Sequence, residues 1–205
     1  TNGLEDFSGN SNNGTASNVN GSGMTFTTGK VGSAVQFDGA DDNSRLPNNI
    51  GLGQSELTVS VWVKHNSFGT SGSSRPYVSD WNIWSSGYQK GFILRTYDIS
   101  DKPGFNICDG INYFSVGSSE SINISVWYNI VGVFKANSIY KIYINGLQKG
   151  SSNAPSQYIK ESTSPIYIGY SGINPGKFDG LIDDLRIYNR ALSAPEIQAI
   201  YNAGK

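Results

Sequence analysis

Acidic residues at two places in the chain have the type and spacing to bind a metal ion. The stretch FDGADD brings Asp38, Asp41 and Asp42 into one short loop, and Asp183 and Asp184 begin the run DDLRIY near the C-terminus. Hard cations such as Ca²⁺ take six to eight oxygen ligands from carboxylates, carbonyls and water. An acidic loop that contains glycine, placed beside an inward-facing aspartate, offers that mixture of ligands.

The sequence around Asp183 predicts that its carboxylate points inward. Apolar and polar residues alternate here with the period of a half-buried strand, and Asp183 has the parity of Leu185 and Ile187. A buried carboxylate needs hydrogen bonds, an opposite charge or a metal. We predict that Asp38, Asp41 and Asp183 are ligands of a structural Ca²⁺. The alternative is that Asp38 and Asp41 cap turns while Asp183 accepts backbone N–H groups.

A second candidate site consists of aromatic residues in the Gly/Ser-rich stretch 66–90. Tyr77, Trp81, Trp84 and Tyr88 lie there without a strand period that would bury them, so we expect an exposed carbohydrate-binding platform. Trp81 and Trp84 are three residues apart, which places both on one side of a helical turn. The alternative is a small satellite core that attaches a long loop to the domain.

Residues for catalysis are scarce. Glycosidases need a pair of carboxylates facing one cleft, and the chain has no Glu-x-Asp-x-x-Glu pattern among its few glutamates. The single histidine, His65, follows a strand pattern, where we expect a solvated imidazole, and the single cysteine, Cys108, is expected to be a small buried hydrophobe. No nucleophile-elbow motif is present. We therefore predict that the protein is not an enzyme.

The elements that must position these residues are mostly strands. Short apolar runs at strand spacing are separated by turn residues, and Asn145-Gly146 in YKIYINGLQKG is the favoured two-residue hairpin turn. The runs are SAVQFDG, LTVSVWVKH, GFILRTYD, GFNICDG, WYNIVGVFK, YKIYING, PIYIGYSG and GLIDDLRIY. Many strands followed by one helix predict an all-β sandwich.

One helix is indicated, at the C-terminus. Ser193 and Glu196 form a capping-box pattern, and Ile197, Ile200 and Tyr201 fall on one face. A helix this short is unstable alone. It must therefore pack against the sandwich.

Length and composition agree with one folded domain over residues 1–205. The chain has 205 residues, of which 37% are hydrophobic, 12% aromatic and 15% charged, so a substantial core is expected and disorder is not. The formal net charge is −1, which gives no general attraction to nucleic acid. No apolar run approaches the roughly 20 residues of a membrane helix, so membrane insertion is not expected.

Several blocks of the sequence resemble one known family. In order these blocks are DFSGNSNNGT, GKVGSAVQFDGADD, LTVSVWVK, WYNIVGVF, YKIYINGLQ and FDGLIDDLRIYNRALSAPEIQAIYNAG. They are similar to the laminin-G-like, concanavalin A-like jelly-roll family over most of the chain. The resemblance implies two packed antiparallel sheets, a jelly-roll β-sandwich with a short C-terminal helix. It also implies a structural calcium at the acidic positions and a secreted or surface protein.

The chain departs from the family pattern at two points. The family's first aromatic strand is missing before Asp6, and the stretch 66–90 is interpreted as a loop insertion between two core strands. An absent strand would leave a sheet edge unpaired, and unpaired edges recruit strands from other chains. We therefore expect residues 4–7 near the final strand, with upstream residues or a strand-donating partner filling the gap.

The resulting hypothesis is a non-catalytic extracellular carbohydrate-binding or adhesion module, calcium-stabilised, with a glycan or a cell-surface or matrix molecule as its ligand. It would be one part of a larger surface protein. Two alternatives from other classes stay open, because this fold hosts lectins, enzymes and spacers. One is a structural domain of a surface or pilus assembly without a glycan site. The other is a polysaccharide-active glycosidase or lyase.

Overall fold

The structure is a computed structural model. It describes residues 4–17, 25–47, 55–69, 74–80, 82–84, 88–97, 101–156, 159, 165–171 and 176–205, with residues 82–84, 88 and 89 described by their backbone alone. The predicted aromatic platform falls partly outside these residues. No helix in these segments is long and apolar enough to cross a membrane.

The described residues form fifteen strands and one helix, in the order β1 to β15 and then α1. The first eight strands are β1 (Thr15–Ser17), β2 (Thr25–Thr28), β3 (Ser33–Asp38), β4 (Asn43–Leu46), β5 (Glu56–His65), β6 (Arg75–Ser79), β7 (Asn82–Trp84) and β8 (Tyr88–Thr96). The remaining elements are β9 (Pro103–Asp109), β10 (Tyr113–Gly117), β11 (Trp127–Lys135), β12 (Ile139–Ile144), β13 (Leu147–Ser151), β14 (Ile166–Ile168), β15 (Asp179–Tyr188) and α1 (Ala194–Ala203).

These strands form two antiparallel sheets. The first sheet has the order β1-β4-β14-β6-β8-β9-β10, with β7 paired to β8, and the second has the order β13-β12-β11-β5-β15-β3-β2. The connection from β3 to β4 passes from one sheet to the other. Two stacked antiparallel sheets with one short helix confirm the predicted jelly-roll sandwich.

The main core lies between the sheets and follows from strand alternation. In β5, Val59, Val61 and Val63 point inward, and they share one buried cluster with Phe92 and Leu94 of the first sheet. Alternation in β8 and β9 turns the next residues to the outer face, which is why Ile93 and Cys108 form a separate cluster. Cys108 is buried, as the sequence predicts.

The outer face of the second sheet is covered by α1. Ile197 packs with Leu192, Val131 and Val133 in a second buried cluster, so the predicted docking of the helix is confirmed. The Glu196 carboxylate accepts the Ser193 N–H at 2.8 Å, which realises the predicted capping box. In the described part of the chain, the outer face of the first sheet therefore carries no helix.

Two predictions about chain organisation need correction. The stretch 66–90 is not simply an inserted loop, because residues 75–79 form β6, a strand inside the first sheet between β14 and β8. The final strand β15 pairs with β3 on one side and β5 on the other, which counts against a donated strand beside it. Leu4 contributes to the main core, and its carbonyl accepts the Gly14 N–H at 2.7 Å, next to β1 of the first sheet.

Candidate functional site

A group of polar and aromatic side chains lies on the outer face of the first sheet, across β8, β9 and β10. We call it the Arg95 cluster and define it as Arg95, Tyr97, Asn106, Tyr113 and Ser115. Asn106 pairs with Ile93 of β8 and with Ser115 of β10, and the outward parity of Ile93 places these side chains on the outer face.

Hydrogen bonds join the five side chains into one network. Arg95 donates from Nε to Asn106 Oδ1 at 3.1 Å and from Nη2 to the Tyr113 hydroxyl at 3.0 Å. Asn106 donates from Nδ2 to the Tyr97 hydroxyl at 2.7 Å, and that hydroxyl also bonds Ser115 Oγ. Because Arg95 Nε can only donate, its partner must be the amide oxygen, and the orientation of Asn106 is fixed.

Burial divides the Arg95 cluster into a buried anchor and an exposed surface. Asn106 is fully buried, Arg95 and Tyr97 are half-buried, and Tyr113 keeps 45% of its surface exposed. The Arg95 guanidinium lies 4.7 Å from the centre of the Tyr97 ring. Partial burial, and then the neighbouring Tyr97, raise the pKa of Tyr113 to about 12. Both hydrogen-bond donors and aromatic rings are therefore available on one surface at neutral pH.

A second arginine–tyrosine pair lies on the same face. Arg45 of β4 is paired in register with Tyr167 of β14, and its guanidinium lies 5.5 Å from the centre of the Tyr167 ring. Tyr167 meets Tyr170 edge to face at 5.4 Å. The register continues from Tyr167 through Ser79 to Ile93, so this pair and the Arg95 cluster lie along one side of the sheet.

The predicted aromatic platform is wrong for Tyr77. This residue lies in β6 at the register shift between Pro76 and Val78, and both Tyr77 and Val78 belong to the buried main core. Trp81 lies outside the described residues, as do the side chains of Trp84 and Tyr88. Their backbones pair across the β7–β8 hairpin, with Trp84 opposite Tyr88, so this part of the stretch is a strand and not a helical turn.

The predicted metal residues separate into a loop and a strand. Asp38, Asp41 and Asp42 lie in the β3–β4 connection, with one oxygen from each carboxylate within 4.8 Å of the others. Asp38 Oδ1 accepts the Ala40 N–H at 2.7 Å, so it also caps the turn. Burial alone would raise the pKa of Asp38, but the N–H groups of Ala40, Asp41 and Asp42 together lower it.

Unsatisfied oxygens in this loop fit a hard cation. Asp41 is 8% exposed and Asn43 is 7% exposed, and Asp41 Oδ2 and Asn43 Oδ1 have no hydrogen-bond partner among the described residues. A buried carboxylate oxygen without a donor is costly, and oxygen atoms of this kind are calcium ligands. The Lys177 ammonium donates to the Ala40 carbonyl, so one positively charged side chain already lies beside this loop.

Asp183 is not part of this group, and its predicted inward direction is wrong. A register shift lies between Asp183 and Arg186, where Asp184 has a left-handed φ of 44°. The bulge inserts one residue, so Ile182 and Ile187 both face the core although their numbers differ in parity. Asp183 consequently faces outward. Alternation read across a bulge assigns the wrong face.

Backbone N–H groups satisfy the Asp183 carboxylate. Its Oδ2 accepts the N–H groups of Lys30 and Val31, both at 2.7 Å, and its Oδ1 accepts the Asp184 N–H at 2.7 Å. Burial raises the pKa of Asp183, although these three N–H groups oppose that shift. The carboxylate therefore fastens the β2–β3 turn to β15, which is the alternative that the sequence left open.

Three of the five glutamates and the single histidine are held in structural roles. Glu56 pairs with Lys135 at 2.8 Å, Glu120 pairs with Lys149, and Glu196 is the helix cap. His65 is 1% exposed and not solvated as predicted, because it is the last inward-facing residue of β5.

A laminin G family model, described as the concanavalin A-like lectin/glucanases superfamily, matches residues 38–198. The chain belongs to this superfamily. The matched region begins at the acidic loop and runs through the Arg95 cluster to α1. No curated protein matches the chain significantly.

Solved structures of this fold include sugar-binding and receptor-binding domains. Domain 4 of AbnA, an extracellular GH43 arabinanase from Geobacillus stearothermophilus solved with arabinotriose, has a TM-score of 0.69 and 22% identity, over 98% of this chain and 93% of that one. The binding domain of Paraclostridial Mosquitocidal Protein 1 has a TM-score of 0.74 and 19% identity, over 99% and 50%. The binding domain of botulinum neurotoxin DC, solved with rat synaptotagmin II, has a TM-score of 0.73 and 14% identity, over 98% and 49%. The chain thus spans about half the length of the two toxin domains.

Sequence reasoning did not find the Arg95 cluster. Its local signal is the spacing of Arg95 and Tyr97, and of Tyr113 and Ser115, each two apart and so on one face of a strand. Combining the two pairs requires the antiparallel register of β8, β9 and β10, which the sequence does not state. The long distance in sequence between the pairs hides the site.

Proposed function

We propose that this protein is a non-catalytic extracellular carbohydrate-binding or adhesion module and that it binds glycan at the Arg95 cluster. The observation that carries the proposal is a buried asparagine, Asn106, that holds an arginine and a tyrosine, Tyr97, in a hydrogen-bonded network beside the exposed ring of Tyr113. Sugars present apolar C–H faces and a ring of hydroxyls. An aromatic surface edged with fixed donors and acceptors suits both.

The expected affinity is weak. Tyr113 keeps 45% of its surface exposed, so covering it removes on the order of 100 Å² from water, which at about 25 cal/mol per Å² corresponds to about 2 kcal/mol. Association costs several kcal/mol in lost freedom of motion. Fixed side chains reduce the part of this cost that comes from ordering the site. Millimolar to micromolar dissociation constants are therefore expected for one module.

The comparisons support a binding role at the level of the fold. Domain 4 of the arabinanase resembles the chain over nearly its whole length and was solved with a trisaccharide. The toxin domain solved with synaptotagmin II favours a second candidate, a domain that binds a surface protein. A polysaccharide-active enzyme has less support, because the glutamates Glu56, Glu120 and Glu196 are engaged in ion pairs or a helix cap.

A glycan array, followed by titration calorimetry on the best ligand, tests the proposal. Tyr113→Ala should weaken binding at least tenfold while the melting temperature stays close to that of the parent protein. Phe26→Ala is a matched control, since Phe26 is 41% exposed and lies in β2 of the opposite sheet. Glycan binding that Tyr113→Ala leaves unchanged would contradict the site. Sugar release from polysaccharide would favour the enzyme.

We also propose that the acidic loop of Asp38, Asp41 and Asp42 holds a structural Ca²⁺. The support is the unsatisfied buried oxygen of Asp41, together with the close approach of the three carboxylates. Adding CaCl₂ to chelator-treated protein should raise the melting temperature, and Asp41→Asn should abolish that rise. Asp109→Asn is the control, because the Asp109 carboxylate already accepts hydrogen bonds from Asn112 and Ile111. An equal melting temperature with calcium and with chelator would overturn the calcium site.

A further inference from the structure

The charges on the outer face of the first sheet have one sign. Among the strand residues whose side chains are described, the alternation places two charged side chains on this face, Arg45 of β4 and Arg95 of β8. Asp109 of β9 has the inward parity of Phe105 and Ile107. The face around the Arg95 cluster therefore carries positive charge and no carboxylate from these strands.

Arg95 has no counter-ion among the described residues, in contrast to the arginines of the other sheet. Arg186 pairs with Asp184 at 2.9 Å and Arg190 pairs with Glu196 at 2.7 Å. Arg95 is half-buried, and its two bonded nitrogens donate to neutral oxygens, those of Asn106 and Tyr113. A partly desolvated guanidinium without a carboxylate is stabilised when a ligand supplies one.

The geometry leaves Arg95 able to bind a carboxylate. Nε and one N–H of Nη2 are used within the cluster, while Nη1 and the second N–H of Nη2 have no acceptor among the described side chains. These two nitrogens form the end of the guanidinium that binds a carboxylate through two parallel hydrogen bonds. Arg95 Cζ lies 4.7 Å from the centre of the Tyr97 ring, and this contact together with the two hydrogen bonds limits the rotation of the guanidinium.

We propose that the ligand of the Arg95 cluster is an acidic sugar, whose carboxylate binds Arg95 while its ring covers Tyr113. This inference rests on the proposed carbohydrate-binding function and adds the class of sugar. Tyr113 and Ser115 provide hydroxyl groups for the ring hydroxyls of the same residue, which an acidic peptide would leave unused. Arg45 lies on the same face but three strands away from Arg95, roughly 14 Å at about 4.8 Å per strand, so only a longer acidic chain would reach both arginines.

Oligogalacturonate and its methyl ester give a direct test, because the two probes share one backbone and differ in the carboxylate. We expect the acid to bind at least about tenfold more tightly than the ester, the usual effect of a charge-assisted hydrogen bond. Arg95→Gln should remove this preference, and Arg95→Lys should retain part of it, since lysine keeps the charge and loses the fork. Raising the salt concentration should weaken binding of the acid more than binding of the ester.

Lys141→Gln is the control for net charge, because Lys141 lies in β12 of the second sheet. It should leave both affinities unchanged. A comparison of sialyllactose with lactose repeats the test for a different acidic sugar. The two acid affinities together show whether the site prefers a uronic acid or a sialic acid. Equal affinity for acid and ester, or binding of neutral glycans alone, would overturn the acidic ligand and leave the carbohydrate-binding function intact. Binding of polyglutamate as tight as oligogalacturonate would also overturn it, and no binding to any glycan would remove both proposals.

Discussion

His65 Nε2 lies 3.0 Å from the hydroxyl oxygen of Tyr77, and both side chains are buried in the sandwich core. His65 Nδ1 faces the Ser67 carbonyl at 3.3 Å. A carbonyl only accepts, so the proton of the neutral imidazole is on Nδ1 and Nε2 accepts from Tyr77. Phe68 and Phe178 lie 4.8 Å from the imidazole, centre to centre. These two rings leave no room for the water that would solvate a charged imidazole.

This burial predicts a loss of stability in mild acid. Burial lowers the pKa of His65 from 6.5 to about 4. The unfolded chain therefore takes up the proton first, so stability declines as the pH falls from about 6.5 to about 4, by about 3 kcal/mol for this one group. Urea unfolding at a series of pH values measures the slope. In His65→Gln that part of the slope should vanish, and an unchanged slope would show that other groups cause it.

The lack of a side chain at Gly132 allows the two sheets to approach closely at this point of the core. A Cβ built on Gly132 of β11 would lie 2.6 Å and 2.8 Å from two ring carbons of Phe105, which is fully buried against Phe92 and Tyr140. Gly132→Ala should destabilise the fold by about 1–3 kcal/mol, the usual cost of overpacking a core. Gly117→Ala is the matched strand control, because its nearest neighbour, Tyr97, is at 3.8 Å. Equal stability of the two variants in chemical denaturation would contradict the close approach.

Asp183→Ala should separate the structural role of Asp183 from a metal role. The substitution leaves three backbone N–H groups without their acceptor, and we expect a loss of about 2 kcal/mol or more. Asp101→Ala, at an aspartate that is only half-buried, is the control and should cost less. Any rise of melting temperature with calcium should persist in Asp183→Ala. Loss of that rise would return Asp183 to the metal site.

The helix cap predicts a second, more acidic transition. Hydrogen bonds from Arg190, and then from Ser193, lower the pKa of Glu196 to about 2. A lowered carboxylate pKa adds stability above the unfolded value of 4.5, and this contribution is lost as the pH falls towards 2. The melting temperatures of the parent protein and Glu196→Gln should therefore differ at neutral pH and converge near pH 2. A constant difference would mean that the cap does not depend on charge.

Local patterns were sufficient to predict several parts of this fold. The Asn145-Gly146 hairpin is present, with φ of 51° and 79° at its two turn residues. The capping box of α1 and the burial of Cys108 are also confirmed. These features depend on residues close together in sequence. Dihedral preferences and short-range hydrogen bonds determine them.

The errors come from features that local pattern does not contain. The bulge at Asp184 reverses the face of Asp183 without a change in composition. Tyr77 lies in a strand whose flanking Gly and Ser residues resemble a loop, so its burial depends on neighbours from β8 and β14. The Arg95 cluster depends on the register of three strands. Pairing between strands distant in sequence is decided by the whole fold.

Tyr140 of β12 reaches across the core to the strands that carry the Arg95 cluster. Its hydroxyl faces the carbonyl of Phe105 in β9 at 2.7 Å and the carbonyl of Phe114 in β10 at 2.9 Å, from behind the sheet. Asn106 and Ser115 are the next residues along those two strands. The second sheet thus braces the edge of the first, and the donors on its outer face are already oriented before a ligand arrives. Binding of the proposed sugar ligand should therefore cost the protein little conformational entropy. Its specificity should come from the fixed positions of these donors, which do not adjust to a sugar of a different shape.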